Sequence, residues 1–454
     1  MVAHSQLGRH AQIIGRDTAL QDEYDFVIIG GGTSGLTVAD RLTEDADVSV
    51  LVLEFGPFDG GEANVLVPGL AANAYAPYSF NLTSIPQKGL ANKTFPVLAA
   101  AVVGGGTVVN GMFFDRGGAP DYDAWEQLGN PGWGWAGLLP YFRKSETFTP
   151  TNGSFAEEWD VSWDLSVHGS SGPVQSRYPP FMWQNIIANP ILPDAGTWTS
   201  NETYASEQLA LYYSSREGPY TLGRGQTVCF LPLQNITNSD KFDEITSLAR
   251  STNASSAYTS RNIPAIVEKG YSVQKDIISD LYSSLDTSVK ESSFGGAGTM
   301  AIVMVKPLSR GSVLAGSTDP LAKPVIDYGT MTAPSDIKIM MASVRKVREF
   351  MATPAMSELQ PTELVPGANL TTDAQLEPAL RGAMQPTFAH VCCTAPMMAR
   401  EDGGVLDPEL RVYGVERLRV VDASLMPLLP ATHTSSTIYA IAEKAADLIK
   451  QSLS

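Results

Sequence analysis

The sequence contains little cysteine, little positive charge and no long uninterrupted apolar run. Its three cysteines, Cys229, Cys392 and Cys393, form neither a CxxC motif nor a disulfide framework. Because neighbouring cysteines rarely pair in so strained a ring, we expect all three to be free thiols. Basic residues number 31 against 48 acidic residues, giving a formal net charge of −17. Such a surface repels nucleic-acid phosphates and anionic lipids, so we expect neither as a partner.

The sequence gives mixed indications about cellular location. The longest apolar stretch, residues 95–109, is interrupted by Pro96 and three glycines, so we expect no membrane span. Residues 1–24 contain no apolar core of a signal peptide, so we expect none. Seven N-x-S/T sequons nevertheless are compatible with a secreted, glycosylated protein, so secretion and a cytoplasmic location both remain open. The sequons are at Asn81, Asn92, Asn152, Asn201, Asn235, Asn253 and Asn369.

The first patterned region predicts a βαβ unit. Asp25–Ile29 contains the continuous apolar run FVII, which is typical of a buried strand. A helix is expected over Thr33–Leu42 and a second buried strand over Val48–Glu54. Units of this kind build doubly wound α/β domains, so we expect an α/β fold.

The turn between the first strand and helix indicates a dinucleotide site. Gly30, Gly32 and Gly35 fit G-x-G-x-x-G, in which the glycines permit a tight turn, close approach of a pyrophosphate and close helix–strand packing. The helix N-terminus offers free N–H groups and partial positive charge to phosphates. Glu54 ends the second strand, where its carboxylate can accept from ribose and disfavours a 2′-phosphate. This spacing does not distinguish FAD from NAD.

Further elements follow the same reasoning. A second glycine-rich loop spans Ala101–Gly117, and apolar residues at helical spacing predict a helix over Pro334–Met351. Strands are expected in residues 299–316 and 324–329, and another over Leu418–Ser424. A final helix is predicted from about Ser436 to Lys450, with Ser435 or Ser436 as its N-cap.

Two of the five histidines are placed where they can do chemistry. His4 and His10 lie in an unpatterned region, and His168 lies in a loop where holding a turn is its expected role. His390 and His433 lie on either side of the strand expected to end in Asp422, and His433 directly precedes a helix N-terminus. No G-x-S-x-G motif accompanies them, so a hydrolase triad with Asp422 and His433 is a weak alternative.

Seven segments carry a resemblance to a known family. The sequence resembles the glucose–methanol–choline (GMC) flavoprotein oxidoreductases, and among them the aryl-alcohol-oxidase-like and fungal secondary-metabolite group. The segments run in the family's order: YDFVIIGGGTSGLTVADRL, VLVLEFGP, VVGGGTVVNGMFFDRG, NPGWGWAGLLPYFRKSE, HGSSGPV, GGVLDPELRVYGVERLRVVDASLMP and THTSSTIYAIAEKAADLI.

The resemblance implies FAD as the cofactor and assigns residues to it. His390 and His433 match the active-site pair facing the flavin. The implied cofactor contacts fall into three groups, namely the ADP half, the loop against the flavin and the return strand near the pyrophosphate. In that order they are Gly30, Gly32, Thr33, Ser34, Gly35 and Glu54; Asn110, Gly111, Met112 and Phe113; and Asp422 and Ala423.

The resemblance also implies a fold and a reaction. We expect a Rossmann-like FAD-binding domain at 24–165 and 391–454, and an α+β substrate domain on an antiparallel sheet at 166–390. The reaction would oxidise a CH–OH group of an aromatic or polyketide-like alcohol. The His390 position would take the alcohol proton while hydride passes to the flavin, and oxygen or another acceptor would reoxidise it.

The sequence departs from the family at one place. Phe181–Asp194 joins flanks that the family separates by a long segment containing a strand. A missing strand is expected to expose a sheet edge and apolar helix faces, with risks of aggregation and weak flavin binding. A non-redox lyase or cyclase with bound FAD, and a catalytically silent relative, therefore remain alternatives to the alcohol oxidoreductase.

Overall fold

The structure is a computed structural model, and it describes residues 12–15, 17–73, 77–179, 200–223, 227–260, 262–295, 299–358 and 360–453. The segment in which the sequence departs from its family, Phe181–Asp194, lies outside these residues.

The predicted βαβ unit is confirmed. Strand β1 spans Phe26–Ile29, the helix spans Thr33–Leu42, and strand β2 spans Val50–Leu53. The strands are parallel, with Phe26 opposite Val50 at the start of the ladder. Strand β1 coincides with the apolar run FVII and lacks only Asp25 of the predicted range, whereas β2 lacks two residues at its start and Glu54 at its end, because the ladder with β1 has four residue pairs.

One face of this sheet is open to solvent. Val27 is 52% exposed, Ile29 79%, Leu53 45% and Phe55 82%. Parallel sheets normally have both faces covered, and within the described ranges this one contains two strands. These exposed side chains lie on a face of the sheet, so the exposed edge and helix faces expected beside a missing strand stay a prediction.

The strand predicted over Leu418–Ser424 is wrong. The segment makes isolated backbone hydrogen bonds, such as that from Val420 N–H to the Leu410 carbonyl at 3.2 Å, and ends in a 3₁₀ turn over Ala423–Leu425. An apolar run favours an extended chain, but a strand also needs a continuous ladder with a neighbour.

The antiparallel sheet predicted for the substrate domain is confirmed. Within the described ranges the further strands are β3 Glu146–Thr149, β4 Val174–Arg177, β5 Thr227–Leu231, β6 Lys290–Gly295, β7 Thr299–Met304, β8 Ser312–Leu314 and β9 Val325–Asp327. Strands β5, β6 and β7 pair in that order, with Leu231 opposite Lys290 and Lys290 opposite Met304. The others form two pairs, β3 with β4 parallel and β8 with β9 antiparallel.

Helices surround these sheets. The helix predicted over Pro334–Met351 has those bounds, and its apolar stripe packs on a core cluster that includes Leu376 and Leu380. The other α-helices of the residues described are Ala63–Leu66, Gly106–Val109, Ala119–Gln127, Trp135–Ser145, Gly153–Glu158, Glu202–Ser215, Leu233–Ile236, Ser239–Ser251, Ala254–Ala257, Ala265–Leu281, Pro354–Ser357, Asp373–Ala383 and Ser435–Gln451. Among the helices of the described ranges, none is long and apolar enough to cross a membrane.

The C-terminal helix, Ser435–Gln451, packs against the helices Thr33–Leu42 and Trp135–Ser145. Its buried Glu443 accepts two hydrogen bonds at 2.7 Å from Arg41 of the first of these helices. The N-cap is Thr434, not a serine as predicted, because the Ser436 hydroxyl instead donates to the Asp115 carbonyl.

The expectation of three free thiols is wrong for two of them. Cys392 and Cys393 form a disulfide, whereas Cys229 is free. Cys393 has φ of +72°, in the left-handed region, so the local backbone departs from the conformation in which neighbouring cysteines stay apart.

All seven sequon asparagines are exposed, and Asn152, Asn201 and Asn253 cap helices through their side-chain oxygens.

Candidate active site

Two glycine-rich loops contact each other at the N-terminus of the first helix. Gly104 donates its N–H to the Gly31 carbonyl at 2.8 Å. A Cβ on Gly105 would lie 2.7 Å from the Gly32 Cα, and one on Gly35 would lie 2.0 Å from the Gly30 carbonyl oxygen. Side chains are thus excluded at Gly35 and Gly105, and the glycine backbone beside them is open to a phosphate at the first-turn N–H groups.

Glu54 holds the first of these loops in place. Its carboxylate accepts from the Gly31 N–H at 2.7 Å and from the Gly56 N–H at 2.8 Å. A carboxylate has about four acceptor positions, so capacity remains for a ribose hydroxyl. Gly30 adopts φ of +102°, which favours glycine at the start of the turn.

A cavity of about 340 Å³ begins beside these loops and extends to the two histidines. This volume is within the usual range for small-molecule sites. Six of the predicted site residues line it: Thr33, Asn110, Gly111, Phe113, His390 and His433.

The other predicted site residues do not line this cavity. Gly30, Gly32, Ser34, Gly35 and Glu54 form the turn next to it. Met112 is 52% exposed, with φ of +72°. Asp422 is exposed and accepts from the Ser424 N–H at 2.8 Å, while the Ala423 carbonyl accepts from the Cys393 N–H. The predicted return strand is replaced there by a 3₁₀ turn, so neither residue reaches the cavity.

The structure brings the two predicted histidines together. The rings of His390 and His433 are 5.5 Å apart between centroids and nearly perpendicular, at 89°. His390 lies in a loop and donates its N–H to the Thr387 hydroxyl at 3.1 Å. His433 stacks on Phe113 at 4.2 Å and 11°, so the second glycine-rich loop orients its ring.

The two imidazoles have opposite electrostatic surroundings. Burial, together with the charge of His433, lowers the pKa of His390 to about 4. Burial also acts to lower the pKa of His433. A hydrogen bond and charge from Asp115, with the charge of Glu291, outweigh it, and the pKa is raised. At neutral pH His390 is therefore uncharged, while the surroundings of His433 favour its charged form more than water does.

Sequence reasoning missed the two carboxylates that flank His433. Asp115 Oδ2 lies 2.9 Å from His433 Nδ1, and Glu291 Oε1 lies 3.7 Å from Nε2. Burial raises the pKa of Glu291, which lies in β6. Asp115 follows Phe113 by two residues within a segment that carries the family resemblance, and Glu291 is a charged residue inside a strand. These two positions along the chain were the sequence features that could have identified the carboxylates.

The residues present fit a dinucleotide with a flavin. The side-chain-free loops fit a pyrophosphate, and the cavity beside Asn110 and Gly111 fits a ring system that faces the histidines. Thr434 and Ser435 also line it, so the N-terminal end of the C-terminal helix, with its partial positive charge, lies at the same cavity.

Known proteins were compared with the chain by sequence. Dehydrogenase xptC of Emericella nidulans is 32% identical over 98% of this chain and 96% of its own length. Dehydrogenase pkfF of the same organism is 30% identical over 94% of this chain and 93% of its own length. The alignment with xptC extends over 597 positions against the 454 residues here, so xptC contains residues with no counterpart in this chain.

Solved structures show the same similarity in three dimensions. An FAD-dependent oxidoreductase from Chaetomium thermophilum, solved in complex with a fragment, superposes with a TM-score of 0.90 at 32% identity, covering 95% of this chain and all of that one. A fungal aryl-alcohol oxidase superposes with a TM-score of 0.83 at 29% identity, covering 96% of this chain and all of that one.

The family assignment agrees with this site. The N-terminal and C-terminal models of the GMC oxidoreductase family match residues 24–186 and 307–442, together more than half of the chain. With the xptC match and the Rossmann-like unit, they show that the chain belongs to the GMC oxidoreductases and is an FAD-dependent oxidoreductase.

Proposed function

We propose that this protein oxidises the CH–OH group of an aromatic or polyketide-like alcohol, with His390 as the base. Oxygen or another acceptor would then reoxidise the cofactor. The observation that carries the proposal is the convergence of His390 and His433, 5.5 Å apart, in the cavity that also borders the glycine-rich loops.

His390 is suited to accept the proton of the alcohol. With a pKa of about 4, its imidazole is neutral in all but about one molecule in a thousand at pH 7. A neutral imidazole beside a substrate hydroxyl can take its proton at a ring nitrogen. Such a base typically contributes about 10²–10⁴-fold to the rate. The bound flavin supplies the acceptor for the hydride.

His433 and the helix after it stabilise negative charge. Its Nε2 can donate a hydrogen bond to the substrate oxygen while His390 removes the proton. The N-terminal end of the Ser435–Gln451 helix contributes partial positive charge at the same cavity. Both effects favour the transition state, in which charge develops on oxygen and on the cofactor.

The proposed substrate class follows from the walls of the cavity. Apolar side chains predominate on them, and a ring or an extended apolar skeleton would pack there at low desolvation cost. The aryl-alcohol oxidase neighbour agrees with this class. The apolar lining residues are Leu98, Ala100, Val109, Phe113, Ala301, Phe388, Ala389 and Ile438.

Residue roles and domains belong to the same proposal. We assign the FAD-binding domain to 24–165 and 391–454 and the substrate domain to 166–390. The turn from Gly30 to Gly35, with Glu54, would hold the ADP half of the cofactor. Asn110, Gly111, Met112 and Phe113 would lie against the flavin, and Asp422 and Ala423 near the pyrophosphate.

The test compares His390→Ala with His168→Ala, a histidine outside the cavity. Purified protein is mixed with a benzylic alcohol without oxygen, and bleaching of the flavin absorbance is followed. We expect the wild type and His168→Ala to bleach. His390→Ala should keep its flavin and lose about 10²–10⁴-fold in rate.

Each alternative gives a different result. Turnover of substrate without bleaching would favour a lyase or cyclase. Protein that stays colourless after FAD is supplied would favour a catalytically silent relative. Equal loss of flavin and rate in His390→Ala would instead assign that histidine a structural role.

A further inference from the structure

Asp115 makes more contacts to the His433 segment than an incidental neighbour would. One carboxylate oxygen bonds the His433 ring at Nδ1, at 2.9 Å. The other accepts from the His433 backbone N–H at 3.1 Å and from the Thr432 hydroxyl at 3.0 Å. The Asp115 carbonyl also accepts from the Ser436 hydroxyl. One residue thus fixes both the backbone and the ring at the start of the C-terminal helix.

An ionised carboxylate can only accept hydrogen bonds, so it determines where the imidazole carries its proton. With Asp115 at Nδ1, that nitrogen keeps its hydrogen in both the neutral and the charged form of His433. Proton exchange is then confined to Nε2. Glu291 lies 3.7 Å from Nε2, too far for a direct hydrogen bond but near enough to favour a positive charge.

His390 provides the contrast. In the part of the chain that the structure describes, no carboxylate lies within salt-bridge distance of its ring, whereas His433 has two. The groups facing His433 are Asp115 from the second glycine-rich loop, Glu291 from β6 and His390 from its loop. The opposite pKa shifts of His390 and His433 come from the carboxylates, because both rings are largely buried.

We infer that Asp115 is the positioning residue of His433, holding the proton on Nδ1 and directing Nε2 to the substrate oxygen. This inference rests on the proposed function, which assigns His433 to the reaction. It adds a division of work in which His390 exchanges a proton as a free base, while His433 in its charged form donates from Nε2 and keeps its Nδ1 proton hydrogen-bonded to Asp115.

The test uses Asp115→Asn, which keeps the shape and one acceptor oxygen but can present an amide N–H to Nδ1. That change would place the neutral proton of His433 on Nε2 and make Nδ1 the titrating nitrogen. We expect flavin content close to that of the wild type. We expect kcat to fall about 10- to 100-fold, less than for a proton-transfer group, with a smaller change in KM.

A ¹⁵N-histidine NMR titration gives a readout independent of activity. In the wild type, the Nε2 resonance of His433 should shift with pH while Nδ1 stays protonated. In Asp115→Asn, Nδ1 should titrate, and at lower pH, because the opposite charge is lost. Asp115→Glu keeps the charge and should keep Nε2 as the titrating atom.

The matched control is Asp164→Asn, the same change at an exposed carboxylate outside the cavity. Asp164 accepts from the Ser166 N–H at 2.8 Å. This control should leave kcat and the His433 titration unchanged. If Nδ1 of His433 titrates in the wild-type protein, the inference is overturned, whether or not Asp115→Asn folds. A kcat in Asp115→Asn equal to that of the wild type would also overturn it. Full activity in His433→Gln would instead refute the role of His433 in the proposed function.

Discussion

The pH dependence of the reaction follows from the surroundings of the two histidines. His390 must be neutral to act as a base, and its pKa of about 4 is below the ordinary value of 6.5. It is therefore about 10% protonated at pH 5 and about half protonated at pH 4, and below that kcat/KM falls about tenfold per pH unit. The pKa of His433 is raised, so the midpoint for the loss of its proton lies above its ordinary value of 6.5. The active range should extend from about pH 4 to above 6.5.

The assay measures kcat/KM with a non-ionising benzylic alcohol and a dye acceptor from about pH 3 to about pH 9, with bound flavin checked at each pH. In His433→Gln the acid limb should move upward only in part. The variant removes a neighbouring positive charge, but burial, the larger cause of the low pKa, stays. A wild-type acid limb centred at 6.5 or higher, with flavin still bound, would refute this reasoning.

Two further substitutions test the framework of the site. Gly35→Ala would place a Cβ 2.0 Å from a backbone carbonyl of the turn, so we expect most of the flavin absorbance to be lost. Gly153→Ala, which meets no atom within 4 Å, should retain it, and equal flavin in both variants would contradict the assigned role of the turn. Glu443→Ala leaves Arg41 and Lys144 without their buried carboxylate. We expect the free energy of unfolding, measured in a urea titration, to fall by about 2–4 kcal/mol. Partial solvent access to both cations limits the loss. Asp447→Asn removes a partly exposed carboxylate and should cost less than about 1 kcal/mol; similar costs for the two would disprove a special role for Glu443.

The sequence predicted the elements whose signals are local. The helix Thr33–Leu42 begins after a glycine-rich turn and follows a buried strand, and it has the predicted bounds. The spacing of apolar residues alone predicts the helix Pro334–Met351, and the structure has the same bounds. Within these segments the repeat of apolar residues and the chain-breaking glycine or proline indicate the same structure.

The errors arose where the outcome depends on a distant neighbour. Leu418–Ser424 has the composition of a strand but makes no continuous ladder. The pairing of Cys392 with Cys393 depends on a left-handed backbone, which no residue pattern marks when the residue is cysteine. Strand pairing and backbone hand are both decided by tertiary packing.

The candidate site was predicted in part. His390 and His433 were identified from their placement and from the family resemblance, and the structure brings them together. Asp115 and Glu291 were missed, because their importance comes from distance to a ring and not from any spacing along the chain. Carboxylates are common at loop ends and in polar strands, so only three-dimensional proximity distinguishes these two.

The bond between Asp115 and His433 joins residues 318 positions apart. During synthesis on the ribosome, the cofactor loops emerge long before the imidazole that they orient. The helix after the nucleotide turn also packs on the final helix, through Arg41 and Glu443. Both the turn and the oriented imidazole therefore depend on the last residues to leave the ribosome.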